Sequence, residues 1–357
     1  MLKDLCFEVI QTCPNKCKFC SSNSSQEEKT MITVEDFKRT VMHFMNHGGI
    51  GEISISGGEP FLHPDLFEMV KVCKSQGIRT VIFTSGIKRA DAIPAEVKEY
   101  IKEKCAQDLQ EIEENEPWNE RLKRNVKAYY NRCLAPEPFG AITTQDCELL
   151  KRLGLDKIVF DWQAFEETTD CDLMGRKGLY TFLMDSIIRA RRIGCEIDVH
   201  FIPMKPNYRQ LPDIMECLEI AGVKNISILN FVPQGRGSEN KKELMLNDEE
   251  LKEFSIILNN AKERFSGDVR IGIPLNGRMS HLCTAGTEKL VIKYDGTILP
   301  CPAFKELSME KMKKYGIRLY SIYEDLERII VPGGKRKTPL CKKVYGFHGD
   351  LTESDTR

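Results

Sequence analysis

Residues 12–22 read TCPNKCKFCSS and place three thiols, Cys13, Cys17 and Cys20, within eight positions. Thiolates are ligands for soft metals and iron–sulfur clusters, so this crowding asks for a metal. A structural zinc site takes four ligands, commonly as two Cys-x2-Cys pairs. Cys17 and Cys20 make one such pair, and the sequence contains no second. A thioredoxin-like motif uses two cysteines and leaves Cys13 over. A cubane [4Fe–4S] cluster accepts thiolates readily, and three of them from one loop leave one iron open to a substrate or cosubstrate.

Around that loop the first 230 residues or so alternate short apolar runs with amphipathic stretches, the pattern of βα units. Strands are expected at Leu5–Ile10, Glu52–Ser56, Thr80–Thr84, Lys157–Asp161, Ile197–Ile202 and Asn225–Phe231. Thr33 with Asp36 reads as a helix start and Gly48-Gly49 as its end. Six units are fewer than a closed eight-fold barrel needs, so the fold class is α/β with an open sheet or a partial barrel, its site at the carboxyl ends of the strands. The cysteine loop leaves the first strand directly and is expected at that end. Residues 88–141 are a charged, helical excess between the third and fourth strands, read as a surface insertion or a lid.

After Phe231 the polar stretch NFVPQGRGSENKK reads as a linker, followed by a helix near 248–265. Asp295-Gly296 between two apolar runs is a hairpin signal, with Cys283 and Cys301 on either side and Cys341 in a basic tail. The expected division is 1–235, 236–266 and 267–357, the last a small module. A net charge of −1 argues against nucleic-acid or membrane-surface partners, and no apolar run approaches 18 residues. The expected location is the cytoplasm, where fourteen cysteines are not a disulfide framework. Scattered ones, among them Cys73, Cys105, Cys195 and Cys217, read as small buried hydrophobes.

The C-x3-C-x2-C loop after a first strand resembles the signature of the radical S-adenosylmethionine (SAM) enzymes. The resemblance implies a partial (β/α)6 barrel, a [4Fe–4S] cluster on Cys13, Cys17 and Cys20, and SAM on the fourth iron. It puts Phe19 beside the adenine, Gly57-Gly58-Glu59-Pro60 at the SAM amino group, and Thr84 and Ser85 at the ribose. PQGRG (Gly235 to Gly237) resembles a segment near the adenine, and DLMGRKG (172–178) a stretch of the peptide-modifying branch with no role assigned. Cys283, Gly296 and Cys301 match the opening of the SPASM and Twitch extensions, which carry auxiliary clusters. The remaining SPASM cysteines are absent except for Cys341, so one second [4Fe–4S] cluster is expected on Cys283, Cys301 and Cys341, its fourth iron open or held by His281, His348 or another cysteine.

The chemistry so implied is reductive cleavage of SAM to a 5′-deoxyadenosyl radical that removes a hydrogen atom from substrate. An electron donor such as flavodoxin or ferredoxin is implied with it. A peptide or protein is the leading substrate class, for oxidation, crosslinking or epimerisation. A Twitch-type enzyme acting on a small molecule is the alternative, favoured by the start of the cysteine loop at residue 13, which leaves no preceding peptide-recognition domain. An iron–sulfur scaffold without activity and a structural zinc protein are the other rivals. Asp161, Asp198 and His200, near the carboxyl ends of strands four and five, are weak candidates for proton transfer.

Overall fold

The expected strands are present, and they lie side by side. The structure, a computed structural model, describes residues 1–134, 138–176, 179–273, 275 and 283–329. β1 (Leu2–Ile10), β2 (Ile50–Gly57) and β3 (Arg79–Thr84) come first; the chain then leaves through β4 (Ile87–Arg89) and returns through β5 (Phe139–Ala141). β6 (Lys157–Asp161), β7 (Ile197–Phe201), β8 (Asn225–Ile228), β9 (Asp268–Ile271), β10 (Lys289–Ile292), β11 (Thr297–Leu299) and β12 (Tyr320–Ser321) follow. Ten strands form one sheet in the order β12-β11-β10-β1-β2-β3-β6-β7-β8-β9, parallel from β10 through to β9. This is the α/β, mainly parallel architecture of a partial barrel.

β4, β5, β9 and β12 go beyond the sequence reading. β9 has only four residues, two of them the charged Asp268 and Arg270, so it offers no apolar run to detect. The hairpin β10–β11 joins the same sheet: β10 adds directly to β1, with Cys6 opposite Val291.

Register separates the two faces. Phe7, Ile55, Ile82 and Phe160 share one face and are wholly buried, and the Phe7 ring packs, tilted, 4.7 Å from that of Phe37 in the helix Val34–Asn46. Thr33 caps that helix by accepting from Asp36 N. The opposite face is polar, unlike the near-continuous apolar strands of a doubly covered sheet. Toward the amino ends its charges are paired: Asp4 with Lys289 at 2.6 Å, Lys157 with Asp198 at 3.7 Å, and Glu52 with Arg79. Toward the carboxyl ends it carries Glu8, Ser56, Phe83, Asp161 and His200. Three ion pairs occupy the amino end of this face, and at the carboxyl end Glu8 is paired with Lys305.

Residues 88–140 form a unit of their own. It holds the helices Ala95–Asn115 and Glu120–Leu134, and no residue of the first is buried. No described helix is long and apolar enough to cross a membrane.

Candidate functional site

The loop after β1 is two extended arms laid together. Gln11 N donates to Thr30 O, Cys13 N to Ser25 O at 2.9 Å, and Ile32 N back to Val9 O. Asn23 turns the tip with φ +52°, and Cys20 N donates to Cys17 O at 3.2 Å, which folds the last two thiols into one turn.

Three segments clamp this loop. The helix Glu167–Met174 ends against it: Lys16 N and Lys18 N donate to the carbonyls of Met174 and Leu173, and Met174 Sδ lies 3.7 Å from Cys17 Sγ. From the polar stretch after β8, Arg236 donates through Nε to Cys17 O and through Nη2 to Ser24 O, both at 2.8 Å, while its own N–H reaches Asn23 Oδ1. Gly235 packs so closely on Cys20 O that a Cβ there would stand 2.7 Å from it. The third clamp is the GGEP segment.

Gly57 and Gly58 act here through close approach. Gly58 N donates to Ile10 O at 2.5 Å and Glu59 N to Thr12 O at 3.0 Å. A Cβ on either glycine would fall on the backbone of Ile10 or Thr12, and Gly57 has φ +137°. The first two residues of the motif thus seat the cysteine loop itself. Pro60 opens a short 3-10 turn, Pro60–Leu62, and is buried.

Glu59 has no exposed surface. Its Oε1 accepts from Thr84 Oγ1 at 2.7 Å and Phe61 N at 3.1 Å; its Oε2 accepts from Ser85 Oγ at 2.6 Å and Ser85 N at 2.8 Å. Burial outweighs these four donors and pushes the carboxyl up to about 7. Glu59, Thr84 and Ser85, read separately in the sequence, are one hydrogen-bonded knot. Phe19 packs against a cluster of Ala164, Leu173, Met204, Phe231 and Leu244.

The three thiols lie within electrostatic reach of one another. Burial, followed by its neighbours' charge, holds Cys17 well above the ordinary thiol range, and burial with Glu59 does the same to Cys13. Arg236 is the cation that opposes both shifts. A buried thiolate set with so little countercharge fits a metal cluster, whose own charge reverses the balance. Among the described residues no three Cys, His, Asp or Glu side chains gather tightly enough for a single metal ion. A cubane joins its thiolates to different irons and accepts a wider set.

Asp161 ends β6 and stands opposite His200 of β7 in register. Burial pushes Asp161 up to about 6 against one hydrogen bond from Gln163. Burial lowers His200 to about 3, with Arg270 and Lys157 adding to it, and its ring lies 5.1 Å from Phe83. Asp198 belongs to the paired end, with Lys157 and Ser227 Oγ as partners.

Sequence reasoning missed several participants. Asp170 is 1% exposed, its Oδ2 has no hydrogen-bond partner among the described residues, and burial and then Asp161 push it up to about 7. Arg236 stands in the PQGRG stretch, where nothing local marks it as a partner of the cysteine loop. Glu8 was the one available signal, a carboxylate inside the apolar run LCFEVI.

Residues 7–134 match the profile described as Radical SAM superfamily. That match takes in the cysteine loop, GGEP and the Thr84-Ser85 turn, and it supports a radical SAM superfamily enzyme. Over 246 residues the chain is 21% identical to a PqqA peptide cyclase of Gluconobacter oxydans, covering 69% of this chain and 54% of that protein. The chain thus spans about half the length of that relative. Among solved structures, Streptococcus suis SuiB bound to the precursor peptide SuiA superposes with TM-score 0.63 at 16% identity, over 92% of this chain and 64% of that one. A structure described as native anSMEcpe with bound AdoMet and Cp18Cys peptide gives TM-score 0.59 at 13% identity, over 98% and 84%. These likenesses share the radical SAM fold.

The C-terminal thiols lie elsewhere. Gly286 N donates to Pro300 O at 3.0 Å, tying together the segments that carry Cys283 and Cys301. Leu299 stands opposite Val291, so Cys301 returns to the level of Lys289, beside Asp4 at the amino end of β1. From there to the cysteine loop is roughly 20 Å along the strand. Cys341, His281 and His348 lie outside the described residues.

Proposed function

We propose that this chain is an enzyme that holds a [4Fe–4S] cluster on Cys13, Cys17 and Cys20, binds SAM beside it, and removes a hydrogen atom from a peptide or protein substrate. The observation that carries the reading is the seating of the three-thiol loop: GGEP backbone, a helix end and Arg236 fix it at the carboxyl end of β1. When bound, cluster and SAM together supply one-electron cleavage of SAM to methionine and a 5′-deoxyadenosyl radical.

The chain's own residues place and shield these groups. Glu59, held by Thr84 and Ser85, offers the SAM ammonium a buried carboxylate. Phe19 closes the site with apolar surface at the adenine. Asp161 and His200 face the space left for substrate and hold or accept a proton there; His200 is neutral at physiological pH. The peptide class rests on the relatives' names, a peptide cyclase and two proteins solved with peptides bound. A second [4Fe–4S] cluster on Cys283, Cys301 and Cys341, and an electron donor such as flavodoxin or ferredoxin, belong to the same proposal.

The test is anaerobic reconstitution followed by dithionite and SAM. Wild type is expected to release 5′-deoxyadenosine and to hold about four irons per cluster. Cys13→Ala, Cys17→Ala and Cys20→Ala are each expected to release none. Undiminished release from any one of them overturns the assignment.

A further inference from the structure

A pair of thiols far from the cysteine loop has no part in the mechanism. Cys147 lies in the helix Thr144–Arg152 and is wholly buried; Cys195, 48 positions on, leads into β7 and is half-buried. Cys195 Sγ donates to Cys147 O at 3.8 Å, which brings its sulfur up to Cys147, and the two thiols interact. Lys151, on the same helix, swings its ammonium to Ile193 O at 2.6 Å, beside the Gly194 turn that precedes Cys195. The environments differ in kind. The Cys147 thiol, and then Lys151, hold Cys195 below the ordinary thiol range against its burial, while the Cys195 thiol and then burial hold Cys147 above it. A partly exposed thiol beside a cation, with a second thiol against it, is the arrangement of a reactive cysteine with its resolving partner.

We propose that Cys195 is a reactive thiol and that a low-molecular-weight disulfide oxidises the pair to a Cys147–Cys195 bridge. The Cys195 thiolate attacks one sulfur of the small disulfide, forming a mixed disulfide and expelling one thiolate, which takes a proton. Cys147 gives up its proton, attacks Cys195 Sγ and expels the second small thiolate. The two protein thiols lose two electrons and two protons, and the small disulfide becomes two thiols. The bridge would fasten the helix Thr144–Arg152 to the start of β7, the strand that carries Asp198 and His200.

The test treats the full-length protein, anaerobic and cluster-loaded, with glutathione disulfide, blocks remaining thiols, and maps peptides without reduction. The expected product joins the peptides of Cys147 and Cys195. Cys147→Ser should instead accumulate glutathione on Cys195, at least about tenfold faster than on Cys217, a half-buried thiol with acidic neighbours. Cys195→Ser should leave Cys147 unmodified. Absence of the bridge in wild type, or glutathionylation of Cys195 in Cys147→Ser no faster than of Cys217, overturns the proposal. Neither readout depends on SAM cleavage, so the outcome is separate from that of the proposed function.

Discussion

Glu8 and Lys305, 297 positions apart, form a buried ion pair with Lys305 Nζ 2.5 Å from Glu8 Oε1. Ser22 Oγ donates to the same oxygen at 2.7 Å, and Tyr294 OH donates to Ser22 O. The C-terminal hairpin region is thereby bound to the inner face of β1 and to the cysteine loop. Removing one partner leaves a buried charge alone, so Lys305→Met is expected to cost about 3–5 kcal/mol. The double variant Glu8→Gln/Lys305→Met should recover most of that loss. Denaturant unfolding of the three proteins measures both.

Gly58→Ala sets a methyl against Thr12 O, part of the arm that carries Cys13. The loop must shift, and the expected result is a reconstituted protein with less than about half the wild-type iron. Gly57→Ala adds the strain of φ +137°, on the order of 1–3 kcal/mol. Gly140→Ala meets nothing within 4 Å and serves as the silent control. Iron analysis and unfolding midpoints decide.

Arg236→Ala strips the donors from Cys17 O and Ser24 O. The expected cost is about 2–3 kcal/mol, with faster iron loss during gel filtration. Arg236→Lys should restore little, because an ammonium cannot reach both carbonyls as the guanidinium fork does. The time course of iron release is the measurement.

His200 gives the acid limb a definite sign. Its folded value is lowered to about 3 from the ordinary 6.5, so the fold favours the neutral ring. That stability is fully present above pH 6.5 and is lost as pH falls toward 3. At pH 5 the loss relative to pH 7.5 amounts to about 2 kcal/mol. His200→Gln should flatten the difference. Urea unfolding at the two pH values is the check.

The barrel strands were legible because each is an apolar run between turn signals, and Lys157–Asp161 needed no adjustment of its bounds. β9 was hidden because its charged residues face water, where burial imposes no pattern. The three thiols and GGEP stand out in the sequence as motifs, but the part Gly57 and Gly58 play in seating the loop does not, because it arises only when β1 and β2 pair. Arg236, Asp170 and Lys305 were illegible for a related reason. Each acts on a segment distant in the chain, and no local spacing records such a contact.

The parallel pairing of β10 with β1 has a consequence for biosynthesis. As the chain leaves the ribosome, β2 can dock on one edge of β1 early, but the other edge waits for residues 289–292. An open edge is a template for wrong pairing, and so distant a partner closes slowly. Through most of translation the cysteine loop therefore hangs from a half-paired strand, with Arg236 and then Lys305 still to be made. The cysteine loop is thus among the first segments made, and the contacts that hold it are among the last.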